Sequence, residues 1–237
     1  MNKTKIEYAD FSWNPIKMLC TPVSAGCVNC WHRRFANRHV ANPIFGTRAR
    51  AAEEIYAPMR RRQPSKITVQ FMGDLFHELV TDKQICDVWH VIQTTRKNTF
   101  FLLTKRPERM YDMLKDLPGG LPHIWLGVSV ENQEAADERI PLLLQTPAAH
   151  RWVSIEPMLG PINITRKEAK PWGPDGASCW WTAKLDWVVC GAETGPHKRP
   201  CKAEWIDSLR SQCASAGVKF FGKVDSKGKP IMPREMP

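Results

Sequence analysis

The residues best suited to chemistry stand together near the start of the chain: "CTPVSAGCVNC" places Cys20, Cys27 and Cys30 within eleven positions. The next cysteine, Cys86, is more than fifty residues away. Three thiolates on one short loop form a metal-binding pattern, and the spacing leaves three readings open. A structural zinc site wants four closed ligands, so a histidine such as His32 or His39 would have to complete it. A thioredoxin-type redox pair would use Cys27 and Cys30 and leave Cys20 idle. Iron–sulfur ligation of a cubane normally takes four cysteines, so three leave one iron with an open coordination position, the place where cofactor or substrate chemistry occurs. Cys86 falls on a helical face with Trp89 and reads as core, while Cys179, Cys201 and Cys213 are too evenly spread for a second cluster motif. Cys190 ends a strand pattern, where a free cysteine is usually a small buried apolar group; the alternative is a thiol that reaches the barrel mouth and takes part in hydrogen transfer.

Such a loop needs a scaffold, and the chain supplies a repeated grammar of short apolar runs followed by helical patterns. "KITVQFMGDLF", "NTFFLLTKRPERM", "HIWLGVSVENQ", "HRWVSIEPML", "LDWVVCGAETG" and "VKFFGKV" are the apolar runs, with "IEYADFSW" as an additional first strand. Strands alternating with helices of this length indicate a parallel sheet. The expected fold is α/β, a partial parallel (β/α)6 barrel of TIM-like type, in a single domain over residues 1–237. Its strands end on polar residues: Asp74, Lys105, Ser129, Glu131, Asn132, Glu156, Glu193 and Lys223. Any one of these alone is read as a helix N-cap or a solvated loop residue. In register along successive strands they point to one shared mouth, because functional groups of parallel barrels gather at the carboxyl ends.

The formal net charge of +10 indicates an acidic partner, most simply nucleic acid. The charge concentrates in a basic segment, residues 31–66, where Arg33, Arg34, Arg38, Arg48, Arg50, Arg60, Arg61, Arg62 and Lys66 stand against only Glu53 and Glu54, and it is expected to form one basic face adjoining the cysteine loop. An insertion loop, residues 163–184, interrupts the strand–helix rhythm; Trp172, Trp180 and Trp181 beside Arg166, Lys167, Lys170 and Lys184 are suited to stacking on bases. The alternative is that these tryptophans cover the flank of the fold. No apolar run approaches a membrane span of roughly eighteen residues, and "MNKTKIEYADFSWN" lacks a signal-peptide core. The expectation is a cytoplasmic protein with reduced thiols and no membrane partner.

"WNP" ahead of the first cysteine, the cysteine spacing, "MGDLFHE", "LLTKRPERM", "WLGVSVENQ", "SIEPMLGPI" and "WVVCGAETGP" occur in an order that resembles the radical S-adenosylmethionine superfamily and, more closely, the phage Gp37/Gp68-like (DUF5131) family. The resemblance spans Ile6 to about Phe221, with Asn29 where the superfamily often has an aromatic and Trp31 where the closer family usually has tyrosine. It implies that Cys20, Cys27 and Cys30 hold a 4Fe–4S cluster whose open iron binds S-adenosylmethionine. It also implies that Met72, Gly73 and Asp74 receive the cofactor's amino group, and that Ser129 with Glu131 or Asn132 meets its ribose and carboxylate. Glu156 and Gly191 would lie near the adenosine, Lys105 and Lys223 would neutralise a carboxylate, and Cys190, Lys105 and Glu193 are the candidates for catalysis. The implied activity is reductive cleavage of S-adenosylmethionine to a 5′-deoxyadenosyl radical that acts on a hypermodified thymine in phage DNA, as an isomerase. An external electron donor and a three-Cys-motif partner protein belong to the same picture. Alternatives are a repair lyase similar to spore photoproduct lyase, a radical enzyme for a small metabolite, and a non-enzymatic zinc or iron–sulfur nucleic-acid module.

Overall fold

The computed structural model describes residues 1–18, 20–38, 50–51, 55–117, 120–166 and 181–237. In chain order the elements are β1 (Asn2–Lys3), β2 (Phe11–Trp13), β3 (Ile16–Lys17), α1 (Trp31–Arg38), β4 (Arg50–Ala51), β5 (Lys66–Val69), α2 (Asp82–Thr94), β6 (Thr99–Thr104), α3 (Pro107–Leu114), β7 (Ile124–Ser129), α4 (Gln133–Gln145), β8 (His150–Ile155), β9 (Trp187–Cys190), α5 (Ala203–Ala216) and β10 (Lys219–Gly222). Local chemistry sets the helix ends. Thr81 and Gln84 form a reciprocal capping box that starts α2, Pro107 opens α3, Asn132 caps α4, and Gly217 at φ +70° ends α5. Among the described residues no helix is long and apolar enough to cross a membrane.

The main sheet runs β1-β2-β5-β6-β7-β8-β9-β10, all parallel except β1, and a separate antiparallel pair joins β3 to β4. Each of the six apolar runs forms a strand, whereas "IEYADFSW" contributes only Phe11–Trp13. The order never reverses, so repeated right-handed crossovers carry the helices onto one face of the sheet. Side chains divide accordingly. Phe100, Leu102, Leu126, Val128, Val153, Ile155, Val188 and Cys190 pack with Ile85, Ile92, Met110, Ile140, Leu143 and Leu209 of the helices. Their alternating neighbours Phe101, Trp125, Trp152, Trp187, Val189 and Phe221 form a second cluster around Tyr8.

The sheet is not closed: among the described residues β10 pairs with β9 but not with β1 or β2. The barrel expectation is therefore met only as a mostly parallel α/β sheet. The free edge of β10 is covered by the C-terminal tail, where Gly222 N donates to Pro233 O (2.9 Å) and Glu235 N to Phe220 O (3.0 Å). Arg234 then reaches Glu7 across the gap at 2.5 Å. Covering an edge in this way removes a template for unwanted strand pairing.

Tyr8 makes edge-to-face contacts with Phe101, Trp152, Trp187 and Phe221 at centroid distances of 5.0–5.9 Å. The cluster depends on Gly127, since a Cβ there would stand 2.4 Å from Trp152 Nε1, which donates to Leu102 O at 3.1 Å.

Two expectations are corrected here. The basic segment is not one face: Arg33 and Arg34 lie on α1 beside the cysteine loop, whereas Arg60, Arg61, Arg62 and Lys66 precede or begin β5, at the opposite end of the sheet. Trp181 is not a stacking surface; it is 3% exposed within the helix-side core, its N donating to Arg166 O at 3.0 Å. Residues 167–180 of the insertion, with Lys167, Lys170, Trp172, Cys179 and Trp180, lie outside the described residues, as do His39 and Arg48.

Candidate functional site

The carboxyl ends of β5 to β10 converge on a cavity of about 390 Å³, within the usual range for small-molecule sites. Cys20, Cys27 and Cys30 line one side. Gly73, Asp74, Lys105, Ser129, Glu156, Glu193 and Lys223 arrive from the strand ends, above Tyr8, Phe71 and Leu103. The cysteine loop has one short 3-10 turn, Ala25–Cys27, with no buried residue, so its own burial cannot hold it in place. Three latches to the strand ends do so.

The first is Arg106. Its Nη2 donates to Thr21 O (3.2 Å) and Thr21 Oγ1 (3.0 Å), its Nε to Glu78 (3.1 Å), and its Nη1 to Asp74 (3.3 Å) and Cys20 Sγ (3.8 Å). Buried His77 braces the same point, its Nε2 accepting from Thr21 N at 3.1 Å. The second latch is Glu131, 1% exposed, which accepts from Gly26 N (3.2 Å) and from Nη1 of Arg139 (3.2 Å), itself 2% exposed. The third is Glu193, which accepts from Asn29 Nδ2 (3.0 Å) and from Arg199 N (2.8 Å), Nε (2.9 Å) and Nη2 (2.5 Å). Arg199 Nη1 also donates to Ala25 O at 3.0 Å.

These contacts move the acidities of the groups they join. The Arg199 fork, helped by Asn29, holds the Glu193 carboxyl at about 2 against burial, which opposes it. Burial first, and Asp74 second, push the Cys20 thiol up to about 11, with Arg106 acting in the other direction.

The residues singled out from the sequence fall into two groups. Ser129 accepts from Lys105 Nζ (2.7 Å) and Glu156 pairs with Lys223 (2.5 Å), so both pairs present to the cavity. Gly191 allows the second pair to lie close, a Cβ there being 3.2 Å from Lys223 Cβ. Asp74 lines the cavity, but its oxygens already accept from Thr104 Oγ1 (2.8 and 2.9 Å), Phe76 N (3.0 Å) and Lys105 N (3.1 Å). It braces the end of β5 against that of β6. Gly73, at φ +125°, makes the turn into it.

The second group stands apart from the cavity. Met72 donates to Asn14 Oδ1 (2.8 Å) and accepts from Gln70 Nε2 (3.0 Å). Asn132 uses its Oδ1 to cap α4 through Ala135 N (2.9 Å). Cys190 faces the helix layer with its Sγ 3.7 Å from Met158 Sδ, and burial raises its pKa far above the ordinary thiol range. Arg106, Arg139, Arg199, His77 and Asn29 were not singled out. Arg106 and Asn29 stand inside motifs that were, next to Lys105 and Cys30, and adjacency was the available signal. His77 stands in "MGDLFHE" and Arg199 in the "RP" that follows "WVVCGAETGP", so the same signal existed for both, whereas Arg139 had none.

Three free thiols on one cavity wall are donors of the kind an iron–sulfur cluster takes. All three loop thiols are free and partly exposed to one cavity, while Cys86 is exposed on α2, and Cys190, Cys201 and Cys213 are buried away from it. Among the described residues no three His, Cys, Asp or Glu side chains gather closely enough to hold one metal ion.

No curated protein sequence matches the chain. Among solved structures, a spore photoproduct lyase complexed with dinucleoside spore photoproduct aligns with 81% of this chain and 71% of its own, at 8% identity and a TM-score of 0.37. A likeness of that degree is too slight to carry fold or function across. The model of DUF5131, described as a protein of unknown function, matches residues 3–229. With the match running through the cysteine loop, every strand end of the cavity and helices α1 to α5, the chain belongs to the DUF5131 family.

Proposed function

We propose that this protein is a radical S-adenosylmethionine enzyme whose substrate is a modified base in DNA. The observation that carries the reading is the pinning of three free thiols, with no fourth cysteine beside them among the described residues, over one end of a parallel sheet that also presents Lys105–Ser129 and Lys223–Glu156. Cys20, Cys27 and Cys30 would hold a 4Fe–4S cluster, which with S-adenosylmethionine supplies one-electron reduction of the sulfonium and hydrogen abstraction from the substrate.

The chain's own residues orient and exclude. Lys105 and Lys223 bring two cations into the cavity, where a carboxylate of cofactor or substrate would meet them. Tyr8, Phe71 and Leu103 close the floor with apolar surface, which keeps water from the reacting carbons. Glu193, ionised and engaged by four donors, holds the loop rather than exchanging a proton. Support for nucleic acid comes from the net charge of +10 and from Trp31, 56% exposed at the cavity rim beside Arg34, a pairing suited to a base and its phosphate. Isomerisation of an amino-acid-bearing thymine is the reaction class this reading favours.

The test begins with protein purified without oxygen, reconstituted with iron and sulfide, reduced, and observed by paramagnetic resonance with and without S-adenosylmethionine. A four-iron signal that changes on adding the cofactor, lost in Cys20→Ala, Cys27→Ala and Cys30→Ala but kept in Cys86→Ala, is the expected result. Stoichiometric zinc, or a cluster blind to the cofactor, would refute it. Absence of binding to single-stranded DNA at low salt would transfer the substrate to the small-molecule class.

A further inference from the structure

We infer that Arg106 is a positioning residue that acts through Cys20, holding a fixed positive charge on its sulfur so that a cluster carried by the loop is easier to reduce. This rests on the iron–sulfur reading above. Among the described residues Cys20 is the one of the three loop thiols that receives a side-chain donor, Arg106 Nη1 at 3.8 Å. Hydrogen bonds to ligating sulfurs and nearby charge are two of the terms that set iron–sulfur reduction potentials.

The guanidinium cannot swing away. Its side chain is 11% exposed and all three of its nitrogens are engaged, by Glu78, Asp74 and Thr21. Its backbone is fixed too, because Arg106 N donates to Thr104 Oγ1 at 2.8 Å and Pro107 follows at once as the first residue of α3. A charge so enclosed is weakly screened. Asp74 brings an opposing carboxylate to the same corner, and Arg106 Nη1, 3.3 Å from it, offsets that charge. Removing Arg106 would leave Asp74 acting on the sulfur unopposed.

The sign follows from charge balance. Reduction takes one electron from an external one-electron donor such as dithionite, forms and breaks no bond, and takes up no proton. The thiolate-bound unit becomes more negative by one charge, so a cation at its edge stabilises the reduced state more than the oxidised one. Loss of Arg106 must shift the midpoint potential downward.

Wild type, Arg106→Gln, Arg106→Lys and Arg109→Gln would be reconstituted and titrated with dithionite, the reduced signal being followed by paramagnetic resonance. Arg109 stands on α3, one turn after Arg106, and donates to His77 O, Val80 O (2.5 Å) and Asp82 (2.9 Å), so its loss removes equal charge without touching a thiol. The expected order is a potential clearly more negative than wild type for Arg106→Gln, a smaller shift for Arg106→Lys, and none for Arg109→Gln. An unmoved Arg106→Gln, or an equal shift in Arg109→Gln, would overturn the inference. Should Arg106→Gln fail to take up iron, Arg106→Lys decides: a downward shift supports it and the wild-type potential overturns it. Wild type without any cluster would instead refute the iron–sulfur reading beneath it.

Discussion

Replacing Glu193 by Gln removes one charge from the third latch while keeping its shape. In the folded chain the carboxyl sits at about 2 instead of the ordinary 4.5, because the Arg199 fork and Asn29 favour its ionised form. A tenfold change in proton affinity corresponds to about 1.4 kcal/mol, so the gap amounts to about 3 kcal/mol of stability. The carboxyl is 7% exposed, but Arg199 is 31% exposed and the pair borders an open cavity, so screening by water makes about 3 kcal/mol an upper figure. Because the folded pKa is lowered, the contribution is complete above about pH 4.5 and is lost as pH falls toward about 2. Urea unfolding followed by tryptophan fluorescence should show Glu193→Gln less stable than wild type by up to about 3 kcal/mol near pH 7 and by up to about 1.5 kcal/mol near pH 3. A gap that does not change between those two pH values would refute the reasoning, since it would mean that the ionised carboxylate gains nothing from Arg199.

Gly127→Ala should drive the Trp152 indole off Leu102 O and disorder the aromatic cluster, at a cost of about 2–5 kcal/mol from overpacking and an unmet buried donor. Near-ultraviolet circular dichroism together with urea unfolding would read both effects, and an unchanged aromatic signal would contradict the geometry. Trp181→Ala should destabilise by about 3–5 kcal/mol in thermal melts while leaving the affinity of the folded protein for single-stranded DNA unchanged. Loss of DNA affinity at full stability would return Trp181 to the surface role its composition suggested.

Much of the frame was legible because its causes are local. Each strand from β5 to β10 is a short apolar run bounded by turn or capping residues, and Thr81, Pro107, Asn132 and Gly217 mark helix ends by chemistry that acts within four residues. The cysteine spacing is local too. Period two, applied to β9, would also have turned Cys190 away from the mouth, since Val189 faces the aromatic cluster and its neighbour must face the helices. Position at a strand end suggested the mouth; alternation decides which side of it a thiol reaches.

What the sequence determined alone was therefore the six strands from β5 to β10, their parallel alternation with helices and the three-thiol loop, all written in spacings of a few residues. Only the tertiary structure decided what holds that loop. Gly26 meets Glu131 across 105 residues and Asn29 meets Glu193 across 164, contacts between groups no local pattern links. The same holds for the division of the basic segment between two ends of the sheet and for the burial of Trp181. An acid at a strand end is written identically whether it meets solvent, a cofactor or a buried arginine, and that choice is made only when distant elements pack and water leaves.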